Sequence, residues 1–188
     1  MIERHIWRII HESAGILLIA SVISMFGGIG LEMMRTKLAF LVPIIILMPA
    51  LNDMIGDFGA IIASRFTLML FEKEIHEKKW WRERPLHHLF MVIMGIGILS
   101  AIYVAILSYF IAVAKGFPFD LVMIQKVILI SVIATILLVC ILFAVSIIGG
   151  FYVYRKKHDP DNYLIPIATA LADFGSMIML ALLIMWLI

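Results

Sequence analysis

Apolar residues run through this chain in long unbroken stretches rather than in alternation. Five stretches are long enough to cross a bilayer, whose hydrocarbon core takes about 20 residues of helix. They run from Ala14 to Leu31, Leu38 to Phe71, Leu89 to Ala114, Val127 to Tyr154, and Asn162 to Ile188. The third and fourth hold no charged residue, and their polar positions are hydroxyls such as Ser131, Thr135 and Ser146. Hydroxyls bond back to their own helix, so these two are expected to be scaffold or lipid-facing helices. The second and fifth spans are different. Asp53 and Asp57 interrupt the second and Asp173 the fifth. Pro49 precedes Asp57, and Pro166 precedes Asp173, by about two helical turns.

The second span is too long for a simple crossing. A straight helix from Leu38 to Phe71 would measure about 50 Å against a hydrocarbon core of about 30 Å. It must tilt, protrude or break near its middle, and Pro43, Pro49, Gly56 and Gly59 offer places to break.

Composition agrees with this pattern. Of 188 residues 64% are hydrophobic, well above the share in soluble domains. The loops are too short for a soluble domain, so the chain reads as one all-α polytopic membrane domain over residues 1–188. A net charge of +2 is too slight to suggest a nucleic-acid partner. With a cytoplasmic N-terminus, the inside segments carry Arg4, Arg8, Lys73, Lys78, Lys79, Arg82, Arg84, Arg155, Lys156 and Lys157. The outside loops carry Arg35, Lys37, Lys115 and Lys126. That bias places the N-terminus in the cytoplasm and the C-terminus outside. Trp80 and Trp81 suit an interfacial belt. Glu12 precedes the first apolar run and no small-residue cleavage site follows it, so that run is read as a retained helix. Cys140 is the only cysteine; it allows no intrachain disulfide and is expected to be a packing residue.

Carboxylates at membrane depth cost roughly 2.5–3.5 kcal/mol each on insertion scales, so their presence asks for a use. Asp53 and Asp57 are four apart and share a helix face, where like charges repel. Arg65 lies two turns on and is expected to snorkel to the interface. The basic residues leave the central carboxylates uncompensated, which favours a mobile cation as their partner. The competing readings are structural: Asp173 bonding a neighbouring helix, Asp57 satisfied by Arg65 or a freed amide, and Asn52 capping a helix that resumes after a break. His76, His87 and His88, beside Glu72, Glu74 and Glu77, are spread over a solvated loop and lack the spacing of a zinc site. Gly27, Gly28, Gly30 and the pair Gly149–Gly150 read as close helix contacts. Two enzyme readings fail on spacing. Intramembrane aspartyl proteases need Gly-x-Gly-Asp where this chain has Met54-Ile55-Gly56-Asp57. Membrane lipid phosphatases need a lysine where counting back from Arg84-Pro85 gives Glu77. No catalytic residue and no organic cofactor are expected.

Taken together, these residues resemble the membrane domain of the MgtE-type magnesium transporters and their eukaryotic solute-carrier relatives. Pro49 followed by Gly56-Asp57-Phe58-Gly59 resembles the family's Pro…Gly-Asn-x-Gly element, and Ala63-Ser64-Arg65 mirrors the Ala-Ser-Arg of the solute-carrier branch. Asp159-Pro160-Asp161-Asn162 and Pro166-Ile167-Ala168-Thr169, with Asp173 after them, resemble the start of the family's last helix. The resemblance implies a parallel homodimer with the transport path between subunits and Asp173 as the principal cation site. Asp57 stands where the family has asparagine, which adds charge near the path. The bacterial relatives carry a large cytoplasmic sensor ahead of the first helix; residues 1–13 are too few for one, so no sensor domain is expected in this chain.

The expected cation ligands are Asp173, Asp57, Asp53 and Thr169, with Asn52, Gly56, Gly59, Ser64, Arg65, Pro166 and Ala172 as pore-lining candidates. Hard oxygen ligands favour Mg²⁺, then Mn²⁺ or Ca²⁺, with Co²⁺ and Zn²⁺ also admitted. The rival functions are a proton- or sodium-coupled carrier of another solute and a non-transporting scaffold subunit. The expected location is the plasma membrane of a prokaryote.

Overall fold

The structure, a computed structural model, describes residues 2–33, 35–38, 40–75, 80 and 82–188, with the side chains of 2–13, 33 and 37 excepted. Expectations resting on the side chains of Arg4, Arg8, Glu12, Lys37, His76, Glu77, Lys78, Lys79 and Trp81 lie outside what it describes. The described residues form α1 (Ile2–Met33), α2 (Arg35–Leu38), α3 (Val42–Phe71), α4 (Arg84–Ala114), α5 (Leu121–Arg155) and α6 (Asp161–Leu187). All but α2 are long and apolar enough to cross a membrane.

The second span does break, but near its start and not in its middle. The short α2 ends at Leu38, and Leu41 leads into α3 with Pro43 in its first turn, where a missing N–H costs nothing. From there α3 is continuous through Pro49, Gly56 and Gly59. Pro49 removes one internal hydrogen bond, which a helix held by its neighbours tolerates. At 30 residues α3 is about 45 Å long and exceeds the hydrocarbon core. Asn52 therefore sits inside a helix and is not a cap.

The connection from α4 to α5 is tightly fastened. The Asp120 carboxylate caps α5 by accepting the Val122 N–H at 2.9 Å. The buried Tyr109 hydroxyl donates to the Asp120 carbonyl at 2.8 Å and accepts the Asp120 N–H at 2.7 Å. The rings of Phe117 and Phe119 stand edge-on to Tyr109.

Four helices make the core. Ile44, Leu47, Leu51, Ile55 and Ile62 of α3 pack in one cluster with Ala134, Leu138 and Leu142 of α5, Ala168 and Ala172 of α6, and Ile93, Ala105 and Tyr109 of α4. A second cluster joins Ala63, Phe66 and Leu70 to Leu86, Ile147 and Leu164, with half-buried Trp80 against it. Trp80 thus packs inward. α5 touches α3, α4 and α6, so it is central and not a peripheral lipid-facing helix. Its Cys140 is exposed, against the expectation of a packing role. α1 makes its extensive contact with α6 alone.

Glycines set the closest approaches, as their spacing suggests. A Cβ on Gly150 would run into the Phe66 ring, and one on Gly175 would lie 2.5 Å from Leu138 Cδ2. Gly27 and Gly30 face α6, while Gly28 meets open space.

Candidate functional site

Asp173 lies where α1, α3 and α6 come together. One oxygen, Oδ1, accepts from Asn52 Nδ2 of α3 at 2.7 Å; the other, Oδ2, accepts from Ser24 Oγ of α1 at 3.0 Å. The Asn52 side-chain carbonyl in turn accepts from the buried Ser176 hydroxyl, which also lies 3.1 Å from the Asp173 carbonyl. Asn52 and Asp173 are brought together from positions 121 residues apart. The helix periodicity of α6 puts Ser176 one turn beyond Asp173, on the same side.

The carboxylate borders a cavity of about 500 Å³ between α1 and α6. Its polar lining is Ser21 and Ser24 from α1 and Thr169 and Asp173 from α6; Pro166 contributes to the wall, and the remainder is aliphatic. Thr169 donates its proton to the Ile165 carbonyl at 3.0 Å, and Ser21 donates to the Leu17 carbonyl at 2.8 Å.

The other carboxylates are not gathered here. Asp53 and Asp57 are exposed on α3, on a stripe that also carries Ser64 and Ile61. An expected common depth does not make a shared site: Asp173 borders the cavity between α1 and α6, while Asp53 and Asp57 are exposed on α3 and do not line it. Neither forms an ion pair among the described residues, and no three His, Cys, Asp or Glu side chains there could together hold a metal ion. Arg65 is exposed as well, two turns beyond Asp57.

Gly56, Gly59 and Ala172, expected to line a pore, are buried in helix packing. A Cβ on Gly59 would stand 3.2 Å from Ala168 Cβ and 3.3 Å from Leu142 Cδ1, and one on Gly56 would be 3.9 Å from Thr169 Cγ2. Their smallness lets α3 lie against α6, which brings Asn52 within reach of Asp173. His87 and His88 are exposed, and the His87 ring lies 3.1 Å from the Glu83 carbonyl through Nδ1.

Ser24 and Ser176 were invisible to the sequence reading. A serine in an apolar span carries little signal, because its hydroxyl is usually satisfied within its own helix. Only their coincidence in depth with Asn52 and Asp173 distinguishes them.

A family model described as a divalent cation transporter, MgtE, matches residues 48–183. That stretch holds Asn52, Asp53, Asp57, Thr169 and Asp173. Comparison with curated proteins found no match, nor did comparison with solved structures. The match covers most of the chain and all of α4 and α5, and it takes in the parts of α3 and α6 that bear Asp53, Asp57 and Asp173: the chain belongs to the MgtE family of divalent cation transporters.

Proposed function

We propose that this protein passes divalent cations, Mg²⁺ above all, along a route lined by carboxylates of α3 and α6 at the interface of a parallel homodimer. The observation that carries this reading is Asp173, anchored at both oxygens beside a cavity of about 500 Å³. Six waters occupy about 180 Å³ at their share of liquid volume, so a hydrated cation fits such a space. Mg²⁺ dehydrates reluctantly and is the ion best served by a site that grips it through its waters. Mn²⁺, Co²⁺, Ca²⁺ and Zn²⁺ are the competing cargo. Two copies of Asp173, one from each protomer, would match the charge of one dication.

Asp53 and Asp57 extend the role. Their exposed stripe needs a cover other than lipid, and a second copy of α3 with water between the two supplies one. Negative charge along that route raises the local cation concentration. Thr169 contributes an oxygen to the cavity wall. The basic loops favour a cytoplasmic N-terminus and an outside C-terminus, and the reading takes the membrane to be the plasma membrane of a prokaryote. Residues 1–188 then form one membrane domain.

The test is divalent-ion flux into proteoliposomes, with Mg²⁺, Mn²⁺, Co²⁺ and Ca²⁺ compared. Wild-type flux with Mg²⁺ ranked first, lost in Asp173→Asn, is the expected result. Undiminished flux in Asp173→Asn would refute the path. Flux that follows a proton or sodium gradient would favour a coupled carrier instead.

A further inference from the structure

The stretch matched to the family begins at residue 48, so α1 lies ahead of it. Yet α1 supplies one of the two donors that hold Asp173. We propose that α1 completes the cation cavity, with Ser24 as the positioning residue for Asp173 and Gly27 setting its reach. The inference rests on the reading of Asp173 as the cation site.

The final torsion of an aspartate side chain is broad and does not fix the carboxylate plane by itself. Two partners on different helices do fix it. Asn52 holds Oδ1 from α3 and Ser24 holds Oδ2 from α1. Without Ser24 the group pivots about its one remaining bond.

The hydroxyls on the wall also share one polarity. Ser21 donates to the Leu17 carbonyl, Ser24 to the Asp173 carboxylate and Thr169 to the Ile165 carbonyl. Each O–H proton is committed to an internal acceptor, so each oxygen offers only lone pairs to the cavity. Together with Asp173 they make a wall of acceptors. The waters around a cation point their hydrogens outward, so such a wall suits a hydrated cation and repels anions. Half of these acceptors belong to α1.

Gly27, one turn beyond Ser24, sets the distance. A Cβ there would meet Met177 Sδ at 2.9 Å, Phe174 Cα at 3.1 Å and the Asp173 carbonyl oxygen at 3.4 Å. Two of those three are backbone atoms of α6 and cannot step aside, so α1 would have to retreat and draw Ser24 away from Asp173. Gly28, the next residue, has nothing within 4 Å and serves as the control.

The experiment measures Mg²⁺ flux against Mg²⁺ concentration in proteoliposomes of the full chain, for wild type, Ser24→Ala, Ser24→Thr, Gly27→Ala, Gly28→Ala and Asp173→Asn. Each protein is checked for a monodisperse folded state before reconstitution. Ser24→Ala and Gly27→Ala are expected to raise KM about tenfold with little change in maximal rate, the effect of losing one hydrogen bond to a charged group. Ser24→Thr restores the hydroxyl and the KM, and Gly28→Ala matches wild type. A wild-type KM in Ser24→Ala, with flux lost in Asp173→Asn, would overturn the role of α1 and leave the cation site standing. A fall in maximal rate that threonine does not rescue would also overturn it, by making Ser24 a folding residue. Full flux in Asp173→Asn would remove the site and the inference together.

Discussion

Replacing Asn52 with alanine cuts the tie between α3 and α6 at its most polar point. Asn52 donates to Asp173 Oδ1 at 2.7 Å and accepts from Ser176. Ser176 is fully buried, at 0% exposure, but it keeps the Asp173 carbonyl at 3.1 Å as an acceptor. The loss therefore falls on the carboxylate, and a hydrogen bond to a charged group contributes about 1.5–3 kcal/mol. In a chain of this size each kcal/mol moves the unfolding midpoint by about 2–4 °C, so Asn52→Ala should unfold roughly 3–12 °C below wild type. The assay is thermal unfolding of the purified, detergent-solubilised protein followed by tryptophan fluorescence. Asp53→Asn is the matched control: it is the next residue, exposed and without an ion-pair partner among the described residues, and should stay within about 0.5 kcal/mol of wild type. An Asn52→Ala midpoint equal to wild type, or an Asp53→Asn loss as large, would refute the assignment of Asn52 as the structural partner of Asp173.

Gly150→Ala should destabilise by about 1–3 kcal/mol, because the new methyl collides with the fully buried Phe66 ring, itself edge-on to Phe151 at 5.3 Å; Gly95→Ala, with nothing within 4 Å, should not. Denaturation midpoints of the two variants check the contrast. Tyr109→Phe loses both hydrogen bonds to Asp120 and should cost about 1–3 kcal/mol, read as a lower unfolding midpoint with cation flux retained below that temperature. Asp57→Asn should reduce divalent flux most at low ionic strength and least at high salt, since an exposed charge acts through a field that salt screens. Equal reduction at both ionic strengths would argue for direct ligation.

The spans were legible because nothing but helix can keep long apolar runs in lipid, and hydropathy alone finds such runs. Their ends were less so. α5 starts at Leu121 and not at Val127, because Asp120 caps it and Gln125 and Lys126 continue as helix despite their polarity. α3 breaks at its head because Pro43 fits a first helical turn, while Pro49 is tolerated inside the packed helix. Within the site, depth was legible and direction was not. Hydropathy put Asp53, Asp57 and Asp173 at one level, but it says nothing about which way a side chain points around its helix. That angle follows from packing at Gly56 and Gly59, which turns Asn52 toward Asp173 and leaves Asp53 and Asp57 on the outer face. Ser24 needed the α1–α6 contact, which no single-span pattern encodes.

The pairing of α1 with α6 has a consequence for the order of events during synthesis. α1 is made well before α6, the helix it leans on, and 154 positions separate Met33 from Leu187. At roughly 5–20 residues per second, α1 waits about 8–30 s in the bilayer before its neighbour exists. Its chemistry suits that wait. The Ser21 hydroxyl is satisfied by the Leu17 carbonyl within the same helix, and Leu17, Leu18, Val22, Met25, Phe26 and Ile29 all face outward as lipid-compatible surface. Ser24 alone trades a bond for one it can make only when Asp173 arrives. The later of the two helices is therefore the one that brings the earlier into register.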